Sequence, residues 1–186
     1  MKLISFVRKG QTSFGAVVLG GIIDLGGSLG DNVHSLNAAL TTGIMDEAML
    51  YIAGCKPEFT WSDVTLLPVI PDPSKILCIG LNYQKHKIET GRPDVDYPTV
   101  FTRFPDSQVA HGQPMMKPTF SDRFDYEGEM AVIIGRGGRN ITQENALDHV
   151  GGYACYNDGS IRDWQQRTSQ FTPGKNFPSS GGFGPY

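Results

Sequence analysis

Glycine and proline cut this chain into short pieces, and that punctuation limits what it can fold into more than any other feature. With 23 glycines and 12 prolines among 186 residues, few apolar runs are long enough for a helix of several turns, so much of the core must come from short strands joined by turns. Residues 3–7, 16–19 and 22–25 are apolar or alternating runs separated by glycine-containing turns, which predicts a small antiparallel meander. Residues 35–53 break the pattern: Leu36, Ala39, Leu40, Ile44, Ala48 and Ile52 recur at helical spacing, with Gly43 as a point of fracture and Gly54 as a stop.

Pro68, Pro71 and Pro73 fall close together, where missing N–H donors and restricted preceding residues oppose both helix and central strand. A boundary there divides the chain into a small N-terminal domain, 1–70, and a second part, 71–186. The second part is predicted to hold strands over 75–80, 99–104, 126–135 and 152–157, with short helices over 83–90 and 142–149. Thr142 and Asn145 with Glu144 supply the cap and acidic first turn that helix starts prefer. The fold class is therefore α+β and β-rich.

A net charge of −3 gives no basic field to collect phosphates, which argues against nucleic acid and for a small-molecule partner. Cys55, Cys78 and Cys155 are widely spaced and form no C-x-x-C pair, so neither a zinc site nor a disulfide framework is indicated, and a reducing cytoplasm fits. The opening apolar run meets Arg8-Lys9-Gly10 and the next is broken by Gly20, Gly21 and Asp24, so no signal peptide or membrane span is expected. The glycine-rich runs at 135–138 and 181–184 match neither nucleotide-binding fingerprint.

The chemistry-bearing residues cluster in the second part. In Asp125-Tyr126-Glu127-Gly128-Glu129 and the apolar run that follows, a strand's period of two sets Glu127 and Glu129 on one face, about 6 to 7 Å apart. On an open edge such a pair means nothing; buried, it needs a compensating cation. Asp158 ends an apolar, aromatic strand and offers a third carboxylate, although Asn157-Asp158-Gly159 reads equally as a plain turn. Oxygen-only ligands favour magnesium, manganese or calcium over zinc. His86 and Glu89 form an H-x-x-E pair on one helix face, where a carboxylate can orient an imidazole as a general base; an exposed pair with no role is the plainer alternative. Lys175 sits in Thr172-Pro173-Gly174-Lys175, expected as a loop because of its Pro-Gly pair, and is either solvated or held over a carboxylate or a developing enolate. Arg162 and Gln165 reach the same pocket if their segment turns helical. His34, His111 and His149 are assigned to structure or surface.

Together these segments resemble the fumarylacetoacetate hydrolase family. The matching text is Ile76-Leu77-Cys78-Ile79-Gly80-Leu81-Asn82-Tyr83 with His86 and Glu89, then Asp125-Tyr126-Glu127-Gly128-Glu129. It continues through Gly151-Gly152-Tyr153, Asn157-Asp158, Arg162-Asp163 and Gln165, and ends in Gly174-Lys175-Asn176-Phe177 with Gly184-Pro185. The resemblance implies a mixed β-roll preceded by a small N-terminal αβ domain, and a homodimer when full length. It also implies a Mg2+ or Mn2+ ion, with Ca2+ as an alternative, on Glu127, Glu129 and Asp158. His86, Glu89 and Lys175 would be catalytic, with His86 and Glu89 on a lid, and Arg162, Gln165 and Tyr83 would bind substrate. The implied activity is hydrolysis of a carbon–carbon bond in a small diketo or 2-oxo acid, as in aromatic catabolism. Decarboxylation or keto–enol isomerisation on the same site is the alternative, as is a non-catalytic relative. Chains of this family continue for roughly another hundred residues, so the C-terminal part of the catalytic domain is expected to be missing.

Overall fold

The structure is a computed structural model and describes residues 1–84, 88 and 96–186. The first three strands form the expected meander: β1 (Lys2–Arg8), β2 (Gln11–Val18) and β3 (Gly21–Asp24), all antiparallel, with the short β4 (Thr65–Leu66) added beside β1. Alternation gives this sheet two apolar faces. Phe14, Ala16, Ile23 and Leu25 point to one cluster, while Ile4, Phe6 and Ile22 point to another that Phe59 closes, its ring meeting Phe6 edge-on at 5.4 Å.

The helical run breaks where the sequence places a glycine. Helix α1 (Leu36–Thr42) starts at Ser35, whose Oγ accepts the Ala38 N–H at 3.1 Å, and stops at Gly43 in the left-handed region with φ 74°. Helix α2 (Met45–Gly54) follows. Leu36, Ala39 and Leu40 bury the inner stripe of α1 in the first cluster, together with Val69, Ile70, Ala154 and Phe183 from the second half of the chain. One core thus runs from the N-terminal sheet into the part that carries the candidate site.

That part is built from β5 (Ile76–Gly80) paired antiparallel with β6 (Thr99–Arg103), and from a four-stranded sheet in the order β7 (Gln108–Ala110), β12 (Gly181–Phe183), β10 (Val150–Asn157), β9 (Gly128–Ile134). Only the β12–β7 pair is parallel, which makes the sheet mixed. Two short strands, β8 (Phe124–Asp125) and β11 (Ser160–Ile161), pair just outside it. Helical turns α3 (Arg162–Gln165) and α4 (Thr172–Lys175) pack beside them.

Three expectations need correction. The helix over 142–149 is only a 3-10 turn, Ala146–His149; Leu147 and Ile141 remain exposed there, so the segment buries no apolar stripe to hold a longer helix. The Thr172–Lys175 segment is a helical turn rather than a loop, because proline is tolerated in the first turn, where its missing N–H would have no partner. The continuous apolar run at 130–134 reads as a strand buried on both faces, yet β9 is covered on one side only: Met130, Val132 and Ile134 stay exposed while Glu129, Ala131 and Ile133 turn inward.

Candidate active site

Strand pairing brings the acidic residues together. In the β9–β10 ladder Glu129 faces Tyr156 and Gly128 faces Asn157, so the chain before β9 runs alongside the chain after β10. Two bonds fix that crossing: Asp158 N–H donates to the Glu127 carbonyl at 2.8 Å, and Glu127 N–H donates to Asn157 Oδ1 at 3.0 Å. The β11–β8 pair continues it by setting Ser160 opposite Asp125. Alternation along β9 then keeps Glu127 and Glu129 on the same, half-buried side.

Lys175 enters from α4 and is 1% exposed. Its Nζ donates to Glu127 Oε2 at 2.5 Å and to Asp158 Oδ2 at 2.6 Å, and lies 5.0 Å from the centre of the Phe101 ring. Asn176, the next residue, locks this approach to β6: its Oδ1 accepts from Phe104 N–H at 2.7 Å and its Nδ2 donates to the Thr102 carbonyl at 2.9 Å. On the far side of Glu127, Arg162 Nη1 reaches Oε1 at 2.5 Å and also donates to Gln165 Oε1 at 2.9 Å. Its Nε and Nη2 grip Asp125 Oδ2 at 2.9 and 2.8 Å. On the far side of Asp158, Arg103 Nη1 holds Oδ1 at 2.6 Å.

Acid and base therefore alternate along one chain of contacts: Asp125, Arg162, Glu127, Lys175, Asp158, Arg103. Buried charges persist only when paired in this way. Glu129 stands beside the chain, takes a hydrogen bond from the Tyr83 hydroxyl, and has its carboxyl pushed above the usual range by burial and by the negative charges of Glu127 and Asp158. Burial opposes the charge on Arg162, but the Asp125 hydrogen bond and the charge of Glu127 outweigh it and raise its pKa.

Of the residues singled out in the sequence, the structure joins Glu127, Asp158, Lys175, Arg162 and Gln165 directly, and brings Glu129 and Tyr83 alongside. His86 and Glu89 lie outside the described residues. As the side chains stand, no group of three His, Cys, Asp or Glu among the described residues is disposed to hold a metal ion, since Lys175 sits between two of the carboxylates. The donor set itself is of the all-oxygen kind that hard divalent cations take. Sequence reasoning missed Arg103 and Asp125. Asp125 was visible as part of an acidic run, but Arg103 looks like any strand-end arginine until burial shows otherwise.

The fold and site define a β-rich α+β protein with a buried lysine clasped by carboxylates at the mouth of a mixed sheet. Residues 75–186 match the fumarylacetoacetate (FAA) hydrolase C-terminal domain, and the chain belongs to that family. It is 40% identical over 126 residues to the mitochondrial oxaloacetate tautomerase fahd2 of Xenopus laevis, a match covering 67% of this chain and 40% of that protein. With the oxaloacetate tautomerase YisK of Bacillus subtilis it shares 43% over 131 residues, 68% of this chain and 44% of that one. Its structure superposes along its whole length on 65% of the fumarylacetoacetate hydrolase of Exiguobacterium antarcticum, with TM-score 0.81 and 32% identity. The chain thus matches less than half the length of those curated relatives. Among the described residues no helix is long and apolar enough to cross a membrane.

Proposed function

We propose that this protein interconverts the keto and enol forms of a small 2-oxo diacid. The observation that carries the reading is the buried ammonium of Lys175, held between Glu127 and Asp158 where charge would develop on an enolate oxygen. The sequence alone put carbon–carbon hydrolysis first; the two relatives named oxaloacetate tautomerases, at 40% and 43% identity, move isomerisation forward. Hydrolysis of a diketo acid stays as the second reading, favoured by the hydrolase on which the whole chain superposes.

In this reading Lys175 donates to the oxygen that becomes the enolate, and Glu127 and Asp158 hold its ammonium in place. Arg162, Gln165 and Tyr83 take the substrate's carboxylates; the Arg162 side chain, 24% exposed, remains open to solvent on one side. We assign the proton moved at carbon to His86, oriented by Glu89, as the resemblance implies. Glu127, Glu129 and Asp158 are the residues that would hold a magnesium, manganese or calcium ion. When bound, that ion would polarise the 2-oxo oxygen.

We further assign 1–70 to a small N-terminal domain and 71–186 to the catalytic domain, in keeping with a family match that begins at residue 75. A homodimer fits the apolar outer face where Val132 and Tyr153 stand opposite each other in register, 46% and 56% exposed. A reducing cytoplasm fits three free cysteines.

The test follows the ultraviolet absorbance of enol-oxaloacetate as it converts to the keto form. Lys175→Met should lower kcat by about a hundredfold or more, the scale of losing one preorganised donor. A variant as fast as wild type would remove Lys175 from the chemistry. Release of two acids from a diketo acid, with no effect on oxaloacetate, would establish the hydrolase instead.

A further inference from the structure

Arg103, at the end of β6 and 2% exposed, is the largest side chain buried completely among the described residues, and its acceptors include Asp158 of the candidate site itself. Its Nη1 donates to Asp158 Oδ1 at 2.6 Å and to the Gly159 carbonyl at 3.1 Å, its Nη2 to Ser180 Oγ at 2.7 Å, and its Nε to Ser107 Oγ at 3.2 Å. Ser107 and Ser180 are themselves fully buried, and Ser107 Oγ donates on to the Phe104 carbonyl at 2.7 Å. Gly181 leaves room for the guanidinium, since a Cβ there would lie 2.7 Å from Nη2.

This arrangement divides the two oxygens of Asp158. Oδ1 is committed to Arg103, and Oδ2 faces Lys175 at 2.6 Å. Without Arg103 the carboxylate could rotate, and its full charge would fall on Lys175. We propose that Arg103 is a positioning residue for the reaction: it fixes the rotation of Asp158 so that Oδ2 alone serves the centre, and offsets its charge so that Lys175 is shared rather than captured. The role rests on the isomerase reading above, but Arg103 itself touches neither substrate nor reacting atoms. A lysine cannot replace it, because one ammonium lacks the planar fork that spans Asp158, Gly159 and Ser180 together.

The experiment is a double-mutant cycle between Arg103→Lys and Asp158→Asn in the protein as its gene encodes it, read by calorimetric Mn2+ affinity and by kcat and KM for oxaloacetate. Arg103→Lys should weaken Mn2+ binding and lower kcat about tenfold each, with KM changed less, as for other groups that orient a ligand from behind. In the Asp158→Asn background the same substitution should change either quantity by less than about twofold, because the oxygen it orients is gone. Equal losses in both backgrounds would reduce Arg103 to a structural role. Should Arg103→Lys fail to fold, Ser180→Ala takes its place: it removes one acceptor while keeping the Arg103–Asp158 pair, and its loss must also shrink in the Asp158→Asn background, or the proposal falls. A wild-type protein that neither binds Mn2+ nor converts oxaloacetate would overturn the functional reading, and Arg103's role with it. An active wild type with additive variants would overturn Arg103's role alone.

Discussion

Cys78 lies on the inner side of β5, where burial first and then the negative charge of Asp158 push its thiol up to about 12 from an ordinary 9.0. Tyr156, packed near Arg103, is likewise pushed up to about 12 by burial. Both are acids whose folded pKa exceeds the unfolded one, so the sign is fixed: their contribution to stability is complete below pH 9, and is lost as pH rises toward 12 and the unfolded chain ionises first. Urea unfolding should therefore show a lower midpoint at pH 10.5 than at pH 8, and Cys78→Ser, which cannot titrate there, should lessen the drop. Alkylation should leave Cys78 protected until the chain unfolds; labelling of Cys78 in the folded protein as fast as in urea would contradict the burial argument. None of this could be read from the sequence, because an isolated cysteine in an apolar run carries no sign of which charges will pack against it. That Glu127 and Glu129 share a side was legible, since strand alternation is a local pattern; Asp158 read equally as part of a plain turn, and only the family resemblance joined it to them. Arg103 was not, because its partners lie 55 and 77 positions away in the chain.

Among the elements, the junction of α3 and α4 carries Lys175 to its partners, and it depends on Gly174. A Cβ at that position would fall 2.4 Å from the Gln165 backbone nitrogen and 2.5 Å from its Cα, contacts that backbone cannot relieve without moving the two turns apart. Gly174→Ala should displace Lys175 from Glu127 and Asp158, lowering kcat about tenfold or more as misplacement by an ångström commonly does, together with a lower unfolding temperature. Unchanged turnover would mean that the turns can separate without disturbing the lysine. The N-terminal meander and the break at Gly43 were readable because they rest on local signals: alternation, turn glycines and a helix stop. Strands β7, β8, β11 and β12 were not anticipated; at two or three residues each they are too short for a periodic signal and exist only through their partners. The lost helix over 142–149 shows the reverse case, good capping residues on a segment that buries no apolar stripe.

Across the whole molecule, stability and the site draw on the same charges. Lys175, Arg103 and Arg162 neutralise Glu127 and Asp158 in the conformation described, while Glu129 holds a raised pKa beside them, so the centre has a resident cation of its own. A divalent ion held as proposed would have to compete with Lys175 for two carboxylates and recruit Glu129 as the third, and its binding would then release a proton from whatever fraction of Glu129 is protonated. Because such an ion would bind the folded chain and not the unfolded one, it should raise stability by RT ln(1 + [L]/Kd), about 2.7 kcal/mol at a hundredfold excess over Kd. The unfolding temperature should climb with magnesium or manganese concentration, and Glu129→Ala should remove most of the climb while leaving the metal-free stability near that of wild type, since Glu129 is only half-buried. The wild-type response should also weaken as pH falls, because protons compete for the carboxylates. Scanning calorimetry across a metal series decides the matter: equal unfolding temperatures with and without ion, together with oxaloacetate conversion that survives a chelator, would leave Lys175, Arg103 and Arg162 as the cations of the centre and remove the metal from the mechanism, with the family assignment untouched.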